Sequence, residues 1–314
     1  MVWSVSTARM FERCQRQWFY ATKIASARAR DHVRQRAYRL SKLQSVSGWR
    51  GSVVDQVLSN DVIPAIGRGV SVSKDVAISS AMRTFDRQLD IARQHRIMDA
   101  DVRPSSRRGE LIALHCLEYQ GEVDEDEIGR ARDEVASAIE AFFEMDDLIA
   151  RLRRADRLIS QRLISFEHSK VTVRAVPDVI AFFRTDPPAI IDWKVHAFGW
   201  RDAWLQLAVY ACALERCNPH KDFPVTSHTF DATDVDLLEV QLLSRTVRSH
   251  QLEDEHFSRA EAYIAQSAEA MNLAAGAFHS AATSLDPFQY PVAYYPETCQ
   301  RCVYRSLCWE EGEQ

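Results

Sequence analysis

The chain has 314 residues, 46% of them hydrophobic and 26% charged, with a formal net charge of -5. That is enough to bury one large core, and it leaves overall charge without a message about nucleic acid. The first residues, Met-Val-Trp-Ser-Val-Ser-Thr-Ala-Arg, lack the basic start and apolar run of a signal peptide, and the apolar stretch from Ala203 to Leu214 is interrupted by Gln206 and too short for a bilayer, so no membrane partner is expected and the cytoplasm is the expected compartment.

In chain order, Ser4, Ser6 or Thr7 caps a helix whose apolar residues Phe11, Cys14, Trp18 and Phe19 recur at helical spacing. A basic segment follows, with Arg28, Arg30, Arg34, Arg36, Arg39, Lys42 and Arg50 against Asp31, which suits either a solvated helix face or a patch facing phosphates. Gly51 opens a helix with Val54, Val57 and Leu58 inward and Asp55 beside them. From about Ser71 to Asp156 the chain is polar and helical, with helices expected at 73–97, 109–118 and 126–153.

The period then changes. Leu163–Glu167, Val171–Phe183 and Ala189–Val195 are rich in Val, Ile and Phe and predict strands, a helix is expected over Arg201–Cys217, strands over Ser227–Ala232 and Asp236–Arg245, and a long helix over Asp254–Ala282. The expectation is an α/β fold with a mixed central sheet flanked by helices and a helical lobe inserted before it. Its organisation is N-terminal helices at 1–59, a helical insertion at 60–160 and a core with a cysteine tail at 161–314.

Two constellations carry chemistry. Cys299, Cys302 and Cys308 form a Cys-x2-Cys-x5-Cys set, and Cys14 completes four thiols if the termini meet. Seven cysteines is a sparse and odd number for a disulfide framework, and Cys116, Cys212 and Cys217 lie in helical sequence where a free buried thiol is ordinary. Four such thiolates suit a metal centre, with zinc and iron–sulfur both open. In the second set, alternation puts Asp192 and Lys194 on one face of a strand, and Asp178, after Pro177, reaches them from the neighbouring strand of a hairpin. Two carboxylates and an ammonium suit Mg2+ or Mn2+ and a phosphate oxygen, although an Asp-x-Lys triplet alone more often marks an ordinary cross-strand ion pair. On the following helix, Gln206 and Tyr210 stand four residues apart and return polar groups toward the carboxylates.

With these residues in order, the chain resembles the PD-(D/E)XK nuclease superfamily, and within it the RecB-like branch that carries an iron–sulfur cluster, found in CRISPR-adaptation nucleases and in the AddB subunit of helicase–nucleases. The resemblance covers Ser4-x-Ser6, Cys14 and Trp18-Phe19-Tyr20, the helix Gly51 to Leu58, Pro177-Asp178, Ile191-Asp192-Trp193-Lys194, Gln206 to Tyr210, and Cys299, Cys302 and Cys308. It implies a restriction-endonuclease-like core in which Asp178 and Asp192 bind Mg2+ or Mn2+, Lys194 is the catalytic lysine, and Gln206 and Tyr210 support the site.

It also implies a 4Fe-4S cluster on Cys14, Cys299, Cys302 and Cys308 that pins the tail to the N-terminal helix. Glu167 is a candidate extra acidic ligand. Asp55 departs from the pattern, since many RecB-like members place a metal-binding histidine there. The implied activity is a metal-dependent deoxyribonuclease, exonuclease ahead of endonuclease, acting on single-stranded DNA or DNA with free ends, with a helicase or other nucleic-acid-processing protein as an expected partner. The competing expectation is a catalytically silent iron–sulfur DNA-binding or scaffold subunit, and phosphodiester chemistry leaves RNA open as a substrate.

Overall fold

The computed structural model describes residues 1–99, 111–195, 203–224, 230–280 and 286–310, the side chains of 277–280 and 310 excepted. Strands among them are β1 Val2–Trp3, β2 Leu43–Gln44, β3 Ala113–Leu114, β4 Arg157–Ser160, β5 Ile164–His168, β6 Val171–Ala175, β7 Val179–Phe182, β8 Ala189–Lys194, β9 Asp236–Gln241 and β10 Thr246–His250. The chain divides into two compact units. One comprises residues 1–5, 50–85 and 130–266, and the other 6–49, 86–129 and 267–314. The segment 60–160, expected as one helical insertion, is divided between them.

The first unit holds the mixed sheet that sequence composition predicts. Five strands run in the order β10-β9-β8-β7-β4, with β8 and β9 parallel and the other pairs antiparallel. A second sheet, β1-β6-β5, packs on the other side of the helix Ala203–Arg216, which touches β5, β6, β8 and β9. Every residue from Leu207 to Leu214 is buried. A helix apolar on all sides fits a position between two sheets rather than at a surface, and each buried Leu or Val there contributes about 1.5–3 kcal/mol of apolar transfer.

The expected strand Val171–Phe183 is two strands in different sheets. Pro177 has no N–H to give a ladder, so the chain leaves β6 there and re-enters as β7. That break frees Asp178 from strand pairing. The expected strand Asp236–Arg245 ends at Gln241, turns through Arg245 at φ 52° and returns as β10. β4 had no signal, since four residues between an arginine-rich helix and a turn show too little alternation to read.

The helix expected over 126–153 breaks at Glu144-Met145 into Glu125–Phe143 and Asp146–Arg154, whose first turn carries Asp146 and Asp147 against the helix dipole. The helix expected at 73–97 spans Lys74–Gln94. Of the helix expected at 109–118, the described part is β3 followed by the helix His115–Tyr119. Of the strand expected over Ser227–Ala232, residues 227–229 lie outside the described residues, and Ala232 begins a 3-10 turn, Ala232–Asp234. The helices expected over Arg201–Cys217 and Asp254–Ala282 are Ala203–Arg216 and Asp254–Ser280, with the ends at 201–202 and 281–282 outside the described residues.

The second unit is built on aromatic side chains. Trp18, Phe19 and Tyr20 are buried, as are Tyr290 and Tyr304. Phe19 stacks on Tyr290 with centroids 4.2 Å apart, and Tyr20 on Tyr304 at 5.5 Å. These contacts lock the segment after Asp286 onto the N-terminal helices. Among the described residues, no helix is long and apolar enough to cross a membrane.

Candidate active site and cysteine centre

The register of the five-stranded sheet assembles the first site. Antiparallel pairing of Val179 with Ile191 puts Asp178, one residue before β7, beside Asp192. Parallel pairing puts Asp192 opposite Glu239 and Lys194 opposite Gln241, and β9 sets Glu239 opposite Arg248. At the other edge, the Gln161 backbone N–H donates to the Asp178 carbonyl at 3.0 Å. One level of the sheet therefore reads Gln161, Asp178, Asp192, Glu239, Arg248. Because strand side chains alternate with period two, residues at one level share a face. For Asp192 that is the face of the helix Ala203–Arg216, since Gln206 Nε2 donates to Asp192 Oδ1 at 3.2 Å.

Asp178 and Asp55 are tied by a single amide. Gln161 Nε2 donates to Asp178 Oδ1 at 2.9 Å and to Asp55 Oδ1 at 2.8 Å, while Ser59 Oγ donates to the same Asp55 oxygen at 2.9 Å. Gln161 holds φ at 49°, a left-handed backbone costing of order 1–3 kcal/mol, which its hydrogen bonds at both ends offset. The other Asp178 oxygen accepts the Trp193 backbone N–H at 2.8 Å. Lys194 forms an ion pair with Asp192, which is 3% exposed.

Burial, and after it crowding of like charge, shows in the pKa values. Burial, then Asp192 and Asp55, push the Asp178 carboxyl up to about 8 against the opposing Trp193 N–H and Lys194. Burial also raises Asp55, with Ser59 and Gln161 opposing and Asp192 adding to the rise. Tyr210 is buried, and burial followed by the nearby Asp192 raises its phenol, so it stays protonated and accepts from Gln206 Nε2 at 2.6 Å. Gln206 is thereby fixed between Tyr210 and Asp192.

The structure brings Asp178, Asp192, Lys194, Gln206 and Tyr210 together and adds Asp55 to them. It does not bring Glu167. That residue is exposed on β5, in the other sheet, and its carboxylate accepts from Thr172 Oγ1 at 2.7 Å. Sequence reasoning missed Gln161 and Glu239. A lone glutamine after a four-residue strand carries no signal, but Glu239-x-Gln241 repeats the spacing of Asp192-x-Lys194, and that period of two was available. Glu239 is 1% exposed, bonded to His250 Nε2 at 2.9 Å and to the Gln241 amide; burial opposes its ionisation, but these bonds and the nearby cations win, leaving its carboxyl below the usual range.

In the second unit, Cys14, Cys299, Cys302 and Cys308 line one pocket, and all seven cysteines of the chain are free thiols. Cys14 Sγ accepts from the Gln17 N–H, Cys302 Sγ from the Tyr304 N–H and Cys308 Sγ from the Arg16 guanidinium, each at 3.4 Å. N–H donors aimed at sulfur are what thiolates need when they carry charge. Without a metal, burial raises the Cys302 thiol to about 12 and raises Cys299 as well.

Among the described residues, no three His, Cys, Asp or Glu side chains converge closely enough to hold a metal ion as they stand. In the carboxylate site, the Gln161 amide and the Lys194 ammonium lie among the acids. The donor chemistry nonetheless fits: hard oxygens that repel one another in one set, and soft sulfurs sharing one pocket in the other.

A protein-family model described as the PD-(D/E)XK nuclease superfamily matches residues 2–309. No curated protein matches the chain. The crystal structure of SSO0001 aligns with 72% of this chain and 94% of its own at 12% identity and a TM-score of 0.30, too little likeness to argue from. With the match running from β1 through the last described helix, the chain belongs to the PD-(D/E)XK nuclease superfamily.

Proposed function

We propose that the protein is a metal-dependent deoxyribonuclease that hydrolyses phosphodiester bonds in single-stranded DNA or at DNA ends, as an exonuclease, in company with a helicase or other nucleic-acid-processing protein. The observation that carries the nuclease reading is the gathering of Asp55, Asp178 and Asp192 near Lys194, with the pKa values of Asp178 and Asp55 raised first by burial and then by neighbouring carboxylates. Carboxylates held together at this cost call for a cation. Nucleases of this superfamily generally use divalent metals such as Mg2+ or Mn2+, and Asp178 and Asp192, with Asp55, are the residues that would hold one. When bound, such an ion lowers the pKa of its water and draws charge from the phosphoryl oxygens.

The chain's own groups do the rest. Asp192 is fixed from the helix by Gln206, and Gln206 by Tyr210. Lys194, held by its pair with Asp192, would orient the attacking water and offset charge on the phosphate oxygen. Water oxygen bonds to phosphorus, the bond to one sugar oxygen breaks, and that oxygen leaves with a proton.

For the second unit, we infer a 4Fe-4S cluster on Cys14, Cys299, Cys302 and Cys308, which places the protein in the RecB-like branch. The support is that four free thiols share one pocket and three of them already accept N–H groups. Such a cluster would fasten the tail to the N-terminal helices across nearly the whole chain, where loop-closure entropy works against weak contacts.

The test is an assay of anaerobically purified protein on oligonucleotides labelled at the 5′ or the 3′ end, single-stranded and duplex, with Mg2+ or Mn2+, beside Lys194→Ala. Metal-dependent cleavage by the parent and none by Lys194→Ala supports the reading. Binding without cleavage by the parent would make it a silent scaffold, and cleavage confined to RNA would replace the substrate.

A further inference from the structure

Every exposed large aromatic side chain among the described residues falls between Phe288 and Trp309 of the second unit, two of them adjacent at Tyr294 and Tyr295. Tyr294 is 89% exposed, Tyr295 66%, Trp309 49% and Phe288 46%. In that unit Phe11, Trp18, Phe19, Tyr20, Trp49, Tyr290 and Tyr304 are buried. Exposure here does not come from a loose segment. The stretch is fastened before the tyrosines by Tyr290, buried on Phe19 with its carbonyl accepting from Arg16 Nε at 3.1 Å, and by the Pro291 carbonyl, which accepts the Arg16 N–H at 3.1 Å. After them, Pro296 starts the helix Pro296–Gln300 and restricts Tyr295 to extended backbone, observed at φ -94° and ψ 123°.

Two rings, 5.2 Å apart at their centroids, are thus held out to water by a stiffened segment. Leaving so much apolar area in solvent brings the folded chain nothing, and a clustered patch of this kind marks a binding surface.

Its surroundings are cationic. The Arg16 guanidinium lies over the Phe288 ring at 4.8 Å, and that of Arg305 over Trp309 at 5.8 Å. Exposed Arg13 and Arg301 line a neighbouring depression in which Glu297 is the acidic residue. Aromatic rings interleaved with arginines are what a single strand of nucleic acid requires, since unpaired bases offer ring faces for stacking and the backbone offers phosphates to guanidinium groups. A duplex hides its base faces, and a basic patch alone would need no aromatics.

We infer that the Tyr294–Tyr295 segment, with Arg16, Arg301 and Arg305, is a stacking platform for single-stranded DNA, separate in sequence and in unit from the carboxylate site. This inference rests on the nuclease reading for the choice of DNA. It goes further by assigning the residues that hold the unpaired strand.

The experiment measures equilibrium binding of the full chain by fluorescence anisotropy, without added divalent metal, to labelled oligothymidylate, to an abasic oligomer of equal length and to a duplex. Tyr294→Ala with Tyr295→Ala is expected to weaken oligothymidylate binding by about tenfold or more while leaving the weaker abasic binding unchanged. Tyr294→Phe with Tyr295→Phe, which keeps both rings, should bind as the parent does. Equal affinity of parent and alanine variant for oligothymidylate overturns the inference, as does an equal loss on the abasic oligomer, which would make the effect one of charge or folding. Loss of self-association in the alanine variant with DNA affinity intact would make the patch a protein interface and also overturn it. If the platform variants lose binding as expected but the parent cleaves nothing with Mg2+ or Mn2+, the platform stands and the nuclease reading falls.

Discussion

Gln161 clasps Asp178 twice: its backbone N–H donates to the Asp178 carbonyl at 3.0 Å, and its side-chain amide to the Asp178 carboxylate at 2.9 Å. The same amide nitrogen reaches Asp55 at 2.8 Å, so one residue at the end of β4 sets the spacing of two carboxylates from different elements. Outer partners of this kind typically account for 10–100-fold in metal affinity. Gln161→Ala should therefore raise the Mg2+ concentration needed for half-maximal cleavage by roughly tenfold or more, with a smaller effect on the rate at saturating metal. A Mg2+ titration of cleavage rate checks it, and an unchanged midpoint would remove Gln161 from the site.

Asp192 and Lys194 separate by role. Asp192→Ala should abolish cleavage by weakening metal binding, whereas Lys194→Ala should leave Mn2+ binding largely in place and remove turnover. Calorimetric titration with Mn2+ beside single-turnover cleavage distinguishes the two. Equal loss of Mn2+ binding in both variants would contradict the assigned roles.

At Asp55, where the sequence resemblance implies a histidine, the structure sets a carboxylate against Gln161 and within electrostatic reach of Asp178 and Asp192. Asp55→Ala should reduce activity and metal affinity together. Asp55→His, which replaces a hard oxygen by an imidazole, should retain more activity with Mn2+ than with Mg2+. Coincident Mg2+ and Mn2+ curves for the parent and both variants would exclude Asp55 as a ligand.

The raised pKa of Asp178 makes a pH prediction for the metal-free protein. Its carboxyl binds its proton more tightly folded than unfolded, so the folded state carries more protons between its ordinary value, near 4, and about 8. Stability should thus be greatest on the acid side of this window and fall as pH rises through it, levelling off above about 8. Mg2+ should restore stability at the alkaline end, and Asp178→Asn should flatten the slope without metal. Thermal melts across that range, with and without Mg2+, give the answer; a metal-free profile that rises with pH would be the wrong sign.

Cys302 offers the test of the second centre. Protein purified without oxygen should be brown, and Cys302→Ser should bleach it and lower the melting temperature by several degrees, because a lost ligand loosens the tail. Colourless protein with stoichiometric zinc would keep the metal site and discard iron.

What the sequence alone determined is local chemistry and periodicity. Alternation put Asp192 and Lys194 on one face, helical spacing aligned Gln206 with Tyr210, and the Cys-x2-Cys-x5-Cys tail declared its donors. Pro177 marked the break, although its consequence, two strands sent to two sheets, was not legible. Register was decided only in three dimensions. Glu167 and Asp178 lie on strands read as neighbours, but they belong to different sheets, so one acid is exposed and the other joins Asp192. Gln161 and Glu239 enter the row through pairings of strands distant in sequence, and Asp55 through a helix that precedes the sheet by about a hundred residues. A carboxylate's role depends on which charges surround it within a few ångströms. Residue type and spacing set what each side chain offers, while long-range pairing sets its neighbours.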